Sequence, residues 1–242
     1  MQENRFQERR VTPPLPAGRS AFVEPELSPI ARLVERDHSS GFATYIEYKN
    51  SKGERSERRI VCKSITLGRG GTTIGALCIE SDAFKTFRLD RITNMVDIET
   101  GELVDPVEVF AQLQMCGALK TTDHALRDLA SLFVFMAKCD GEYHPFEEAA
   151  IHDAIDSYCL RFGGSTAMAE DVQFGCGKLA PDGSDMIVLL DNLGKHHNGK
   201  ALARFALDRC GKVIDADGVH PDDEFTWAMD LQGRLRKIAD AV

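Results

Sequence analysis

The hydrophobic pattern of this chain changes its period near residue 100, and this change restricts the fold more than any other feature. From 41 to 100, short stretches alternate apolar and polar residues between the turn sequences SKG at 51–53 and GRGG at 68–71. That alternation is typical of strands that bury one face. After 105, apolar residues recur every three or four positions, as in DHALRDLASLFVFMAKC at 123–139, which predicts amphipathic helices. We therefore expect a sheet unit followed by a helical unit, with a boundary between residues 101 and 121.

The spacing of the elements predicts an α+β fold. Four or five short strands in 41–100 indicate a small, strongly bent sheet or barrel. Ser28 and Pro29 could start a short helix before it, and residues 1–27, rich in Pro and Gly, are predicted to be a disordered tail. Seven helices with short connections predict a compact helical domain, at about 106–116, 123–139, 145–162, 165–179, 184–194, 199–213 and 221–240.

The charge is distributed unevenly between the two units. The chain has a net charge of −9, with ten basic and eight acidic residues at 41–100 but 13 basic and 24 acidic residues at 101–242. Phosphate contacts need clustered Lys and Arg, so a polyanion would bind the sheet unit and not the helical unit. No apolar run approaches the roughly 20 residues of a membrane helix, so no membrane insertion is predicted. The seven dispersed cysteines without a CxxC pair, and an N-terminus without a secretory signal, predict a cytoplasmic protein.

One pattern occurs twice in the helical unit. MAKCDGEYHPFEE at 136–148 and VIDADGVHPDDEF at 213–225 each contain Asp-Gly after an apolar helix, then His-Pro, then acidic residues. Each can be read as a helix corner without a ligand, because Gly ends one helix and Pro begins the next. Alternatively, the carboxylates converge on calcium or magnesium, with zinc admitted if His144 and His220 take part. The candidate metal ligands are Asp140, Glu147, Asp217 and Glu224.

With these two corners, the helical unit resembles the TerB (tellurite-resistance) family over roughly residues 117–242. The resemblance implies a seven-helix, all-α, TerB-like domain spanning 106–242. It also implies a role in stress-response complexes with protein partners, and metal binding at the acidic corners. Of the family's residues, it covers only the two Asp and two Glu positions just named.

The segments IEYKNSKGERSERRIV at 46–61 and CIESDAFKTFRLDRI at 78–92 resemble a WYL domain. The resemblance covers about residues 41–100 and implies a β-barrel of the SH3 or Sm type, which acts as a ligand-sensing module for nucleotides or nucleic acid. Together with the short helix, this barrel would form a domain at 28–105. The family's Trp-Tyr-Leu positions fall on Thr72, Thr73 and Ile74, so the aromatic part of its pocket is missing. Arg side chains suit phosphate and a Tyr ring suits stacking on a base. The candidate ligand-binding residues are Tyr48, Arg59, Arg88 and Arg91.

A competing interpretation of the same residues is that Arg88 or Arg91 forms ion pairs with Asp90 or Glu80. The chain contains no GxSxG, HExxH or phosphate-loop motif, so we predict a protein that is not an enzyme. The adjacent histidines of GKHHNGK at 194–200 would point apart on a helix, although a loop could bring them together.

These interpretations lead to two alternative predicted functions. The first is a cytoplasmic ligand-sensing or adaptor protein in a bacterial stress or defence response. Its barrel would bind an anionic ligand such as a nucleotide or single-stranded nucleic acid, and its helical domain would contact partners. The alternative is a metal-binding stress-response scaffold, with calcium, magnesium or zinc at the acidic corners and a barrel that no longer binds a ligand.

Overall fold

The computed structural model describes residues 29–219 and 222–241, without the side chains of residues 29, 34 and 222–224. The predicted tail at 1–27 lies outside this range. The strands are β1 (Phe42–Lys49), β2 (Arg55–Gly68), β3 (Gly71–Cys78), β4 (Ala83–Arg88), β5 (Ile92–Asp97), β6 (Leu103–Val104) and β7 (Lys120–Asp123). The helices are α1 (Pro29–Val34), α2 (Pro106–Met115), α3 (His124–Lys138), α4 (Pro145–Phe162), α5 (Thr166–Cys176), α6 (Gly183–Gly194), α7 (Gly199–Ile214) and α8 (Asp222–Asp240).

The seven strands form one sheet in the order β4-β3-β2-β1-β5-β6, with antiparallel neighbours, and β7 pairs with β2 in parallel. Along one edge, the long strand β2 pairs first with β1 and then with β7. Its first part pairs with β1 as far as Cys62, and its last part pairs with β7 from Ser64 onward. The register of β2 against β3 shifts between these two residues, which marks a bulge at the change of partner.

The predicted barrel is wrong, because this sheet is open. β4 and β6 are its two ends, and they do not pair with each other. Helices α1 and α2 cover the inner face instead: Leu33 and Phe110 are buried in one cluster with Ile46, Ile60 and Met95. A sheet can bury one face either by closing on itself or by packing against helices, and here the helices do so. The all-α description of 106–242 also fails, because β7 lies within that range and joins the sheet.

The described residues form two hydrophobic cores that follow each other along the chain. The core of the sheet unit takes buried residues from Leu33 to Leu119, so it includes those of α2. The core of the helical unit runs from Ala125 to Ala239. Only β7 lies between them, and its last residue, Asp123, caps the N-terminus of α3 by accepting hydrogen bonds from the amides of Ala125 and Leu126.

Among the described residues, no helix combines the length and apolar character needed to cross a membrane.

Candidate functional site

The two Asp-Gly corners have the same local structure. Gly141, with φ +92°, follows α3, and Gly218, with φ +75°, follows α7. Both adopt the left-handed conformation that glycine accepts without strain. Asp140 accepts a hydrogen bond of 2.9 Å from the amide of Glu142, and Asp217 accepts one of 2.9 Å from the amide of Val219. The helix-corner interpretation therefore accounts for both glycines and for one oxygen of each aspartate.

Glu147 lies in the first turn of α4, and its carboxylate is buried, with the residue only 6% exposed. Its Oε2 accepts a hydrogen bond of 2.8 Å from the amide of His144, while Nδ1 of His144 accepts one of 3.3 Å from the amide of Phe146. This reciprocal arrangement is a capping box. It engages Nδ1 of His144 at the start of the helix, which removes one of the two nitrogens that could coordinate zinc.

The carboxylates of both corners influence the ionisation of Glu147. Burial raises the pKa of Glu147, the hydrogen bond from His144 opposes this, and the charges of Asp217 and Asp140 raise it further. Like charges disfavour an ionised carboxylate only at short range. None of these three carboxylates forms an ion pair within 4.0 Å in the described part of the chain. The charges of Asp140 and Asp217 therefore both act on Glu147, and the convergence of the two corners on a cation stays a prediction.

The corners do not form a preassembled coordination shell within the described residues. No group of three or more His, Cys, Asp or Glu side chains there is arranged to hold a metal ion. The fourth predicted ligand, Glu224, has a side chain outside the described set, and His220 lies outside it entirely. The charges of Asp140 and Asp217 thus act on Glu147, but the described residues do not form a group that could hold a metal ion.

The predicted arginine surface of the sheet is partly engaged in ion pairs. Arg88 donates two hydrogen bonds to the carboxylate of Asp90, at 2.9 and 2.7 Å. Arg59 donates from Nε to Oε1 of Glu80 at 2.9 Å, and this bond lowers the pKa of Glu80 to about 2. Arg91 forms no ion pair with any described residue.

The four predicted ligand-binding residues do not share one pocket. Arg59 lies opposite Tyr45 in the β1–β2 register, and Tyr48 is three positions further along β1, so Tyr48 and Arg59 point to opposite faces of the sheet. The ring of Tyr48 packs edge-on against Phe87 with centroids 5.2 Å apart, on the face that holds the core. Its hydroxyl accepts a hydrogen bond of 3.3 Å from the amide of Arg88. Tyr48 and Arg88 are thus adjacent, while Arg59 is on the other side.

A cleft between the two units is the site that sequence reasoning missed. The hydroxyl of Tyr158 on α4 donates a buried hydrogen bond of 2.7 Å to Asp123 at the end of β7. Beside this pair, the β2–β3 hairpin meets the loop that contains His196 and His197. The only sequence signal was the GKHHNGK loop, and nothing in the sequence placed it near β2 or β7.

Comparison with known proteins found no matching family model, no similar curated protein and no similar solved structure.

Proposed function

We propose that this chain is a non-enzymatic scaffold that binds a divalent cation at its two Asp-Gly corners and contacts protein partners through its helical unit. The observation that carries this proposal is the buried carboxylate of Glu147, whose pKa is raised by burial and by Asp217 and Asp140. A bound cation would remove the repulsion that otherwise opposes ionisation of this group. Calcium or magnesium fits better than zinc, because the described groups are oxygen donors and Nδ1 of His144 is used in the cap.

Cation binding at this position would join two helix pairs. Asp140 and Glu147 belong to the α3–α4 corner, and Asp217 belongs to the α7–α8 corner. A cation held by both corners would therefore fix the start of α8 against the rest of the helical unit. Helix α8 exposes Phe225 and Met229, and α6 exposes Ile187 and Val188, each more than half exposed. Exposed apolar side chains on two helices in contact can form a surface that binds other proteins, so the cation would organise the proposed partner-binding face.

Thermal unfolding of the full chain with calcium, magnesium or zinc chloride tests the cation site. An ion that binds only the folded state adds about 2.7 kcal/mol of stability at a hundred times its dissociation constant. We expect calcium or magnesium to raise the melting temperature, and Asp140→Asn/Asp217→Asn to abolish that rise. The control is Asp171→Asn/Asp240→Asn, which removes the same charge from exposed helical positions and should respond to the ion as wild type does. Equal melting temperatures with and without each ion would refute the proposal.

A second candidate function is sensing of an anionic ligand, such as a nucleotide or single-stranded nucleic acid, at the sheet. The observation that favours it is Arg91, which has no ion-pair partner among the described residues and is three residues from Arg88. An anion could use both guanidinium groups if it displaced Asp90 from Arg88.

A further inference from the structure

The cleft between the sheet unit and the helical unit encloses a cavity of about 210 Å³. The β2–β3 hairpin borders it on one side, through Gly68 and Thr72, and Tyr158 and Phe162 of α4 border it on another. The loop with His196 and His197 also lines it. Ligand sites for drug-sized molecules commonly measure 300–1,000 Å³, so this cavity suits a smaller molecule, of about one ring system.

Two pairs of flat rings border this cavity. The rings of Tyr158 and Phe162 have centroids 4.8 Å apart and planes inclined by 38°. The imidazoles of His196 and His197 have centroids 4.2 Å apart and planes inclined by 35°. Aromatic and imidazole rings bind planar molecules through stacking and edge contacts, so the lining favours a flat ligand over a branched aliphatic one.

The hydrogen bonds of His196 define a donor. Its Nδ1 accepts a hydrogen bond of 3.1 Å from the amide of Asn198, so in the neutral ring the proton is on Nε2. Burial lowers the pKa of His196, and the nearby His197 and Arg69 lower it further against the opposing effect of Asp123, which favours the neutral ring. No described residue forms a hydrogen bond with Nε2, so this N–H is available to an acceptor on a ligand.

The carboxylate of Asp123 provides a fixed acceptor on the same cavity. Its Oδ1 accepts hydrogen bonds from the amides of Ala125 and Leu126 at 2.8 and 3.3 Å, and its Oδ2 accepts one from the hydroxyl of Tyr158. A carboxylate oxygen accepts two hydrogen bonds, so Oδ2 retains capacity for one more donor. These three hydrogen bonds hold the carboxylate of Asp123 in place without a ligand, as a preorganised binding site requires.

We propose that this cleft binds a small planar heteroaromatic molecule that carries both an N–H donor, for Asp123, and a ring-nitrogen or carbonyl acceptor, for His196. Free nucleobases and nicotinamide belong to this chemical class. Because both units line the cavity, such a ligand would bridge them.

Calorimetric titration of the full chain with adenine, hypoxanthine, uracil and nicotinamide, each up to about 1 mM, tests the proposal. We expect at least one of them to bind to wild type. His196→Phe keeps a ring of similar shape and removes the donor, so it should weaken binding about tenfold, as expected for one hydrogen bond. Thr72→Trp places a large ring in the cavity from a strand position that accepts aromatic residues, so it should abolish binding.

The control is His152→Gln, because His152 is a half-buried histidine on α4 outside the cleft. This variant should bind the compounds as wild type does. Circular dichroism and melting temperature establish that each variant is folded. The proposal is overturned if none of the four compounds binds to wild type. It is also overturned if binding is unchanged in folded His196→Phe and Thr72→Trp, because the compound would then bind elsewhere.

Discussion

The hydroxyl of Tyr158 donates a hydrogen bond of 2.7 Å to Oδ2 of Asp123, and this bond joins the C-terminal part of α4 to the last residue of β7, which caps α3. Both residues are buried, and burial together with the charge of Asp123 raises the pKa of Tyr158 far above its usual value. The bond therefore supports the cap of α3 and one wall of the cleft at once.

Tyr158→Phe should lower the free energy of unfolding by about 2 kcal/mol, because a buried carboxylate loses a hydrogen bond. Urea unfolding followed by circular dichroism measures this. Tyr45→Phe is the matched control: its hydroxyl bonds to Glu57 on the exposed face, and its loss should cost no more than about 0.5 kcal/mol. Equal losses in the two variants would contradict the special role of the Tyr158 bond.

Glu147→Gln should stabilise the ion-free protein at pH 7. The folded-state pKa of Glu147 is raised, so its contribution to stability is most favourable below the unfolded pKa and is lost as pH rises through the folded pKa. Glutamine keeps an acceptor for the capping box and removes the charge. The gain at pH 7 should therefore shrink towards pH 4, as measured by denaturant unfolding across this range.

Glu148→Gln is the control for this prediction, because it removes one charge from the same turn of α4. It should not stabilise the protein at pH 7. If Glu147→Gln also lowered stability at pH 7, the argument that Asp140 and Asp217 repel Glu147 would fail.

Arg36→Met should lower the free energy of unfolding by about 2–3 kcal/mol, because it leaves the carboxylate of Asp97 buried without its partner. The pair is bidentate, at 2.7 and 2.8 Å, and Asp97 is 2% exposed. The side-chain hydrogen bond from Arg36 lowers the pKa of Asp97, so this stability is present above the unfolded pKa and is lost as pH falls through the folded pKa. The acid-induced loss of stability, followed by fluorescence, should be smaller in the variant.

The same substitution at the exposed ion pair, Arg59→Met, should cost less than about 1 kcal/mol. A cost at Arg59 as large as that at Arg36 would show that exposure does not decide the strength of these pairs.

Asp90→Asn should strengthen binding of a short thymidine oligonucleotide if the sheet binds anions, because it releases Arg88 from its bidentate pair. Arg88→Ala/Arg91→Ala should weaken binding, and wild-type affinity should fall steeply between about 50 and 200 mM salt. Arg59→Ala should change little, because Arg59 is on the face opposite Tyr48. Fluorescence anisotropy of a labelled oligonucleotide measures the affinity of wild type and of the three variants. Affinity that does not depend on salt or on these arginines would exclude the anion site.

Much of the secondary structure was predictable, because it depends on residues close together in the sequence. The helix predicted at 199–213 is observed at Gly199–Ile214, and the one at 106–116 at Pro106–Met115. Periodicity sets which residues a helix can bury, and caps such as Asp105 and Asp182 set where it begins. The two Asp-Gly corners were predictable for the same reason.

Pairing between distant segments decided the rest, and no local pattern specifies it. The sheet stays open because α1 and α2 cover the face that a barrel would have enclosed, and because β7 pairs with the free edge of β2. Alternation shows that a strand has two faces, but only the β1–β2 register places Tyr48 and Arg59 on different ones. The cleft depends on the packing of the hairpin against α4 and the His196 loop, so its donor and acceptor, 73 residues apart, are neighbours only in the tertiary structure.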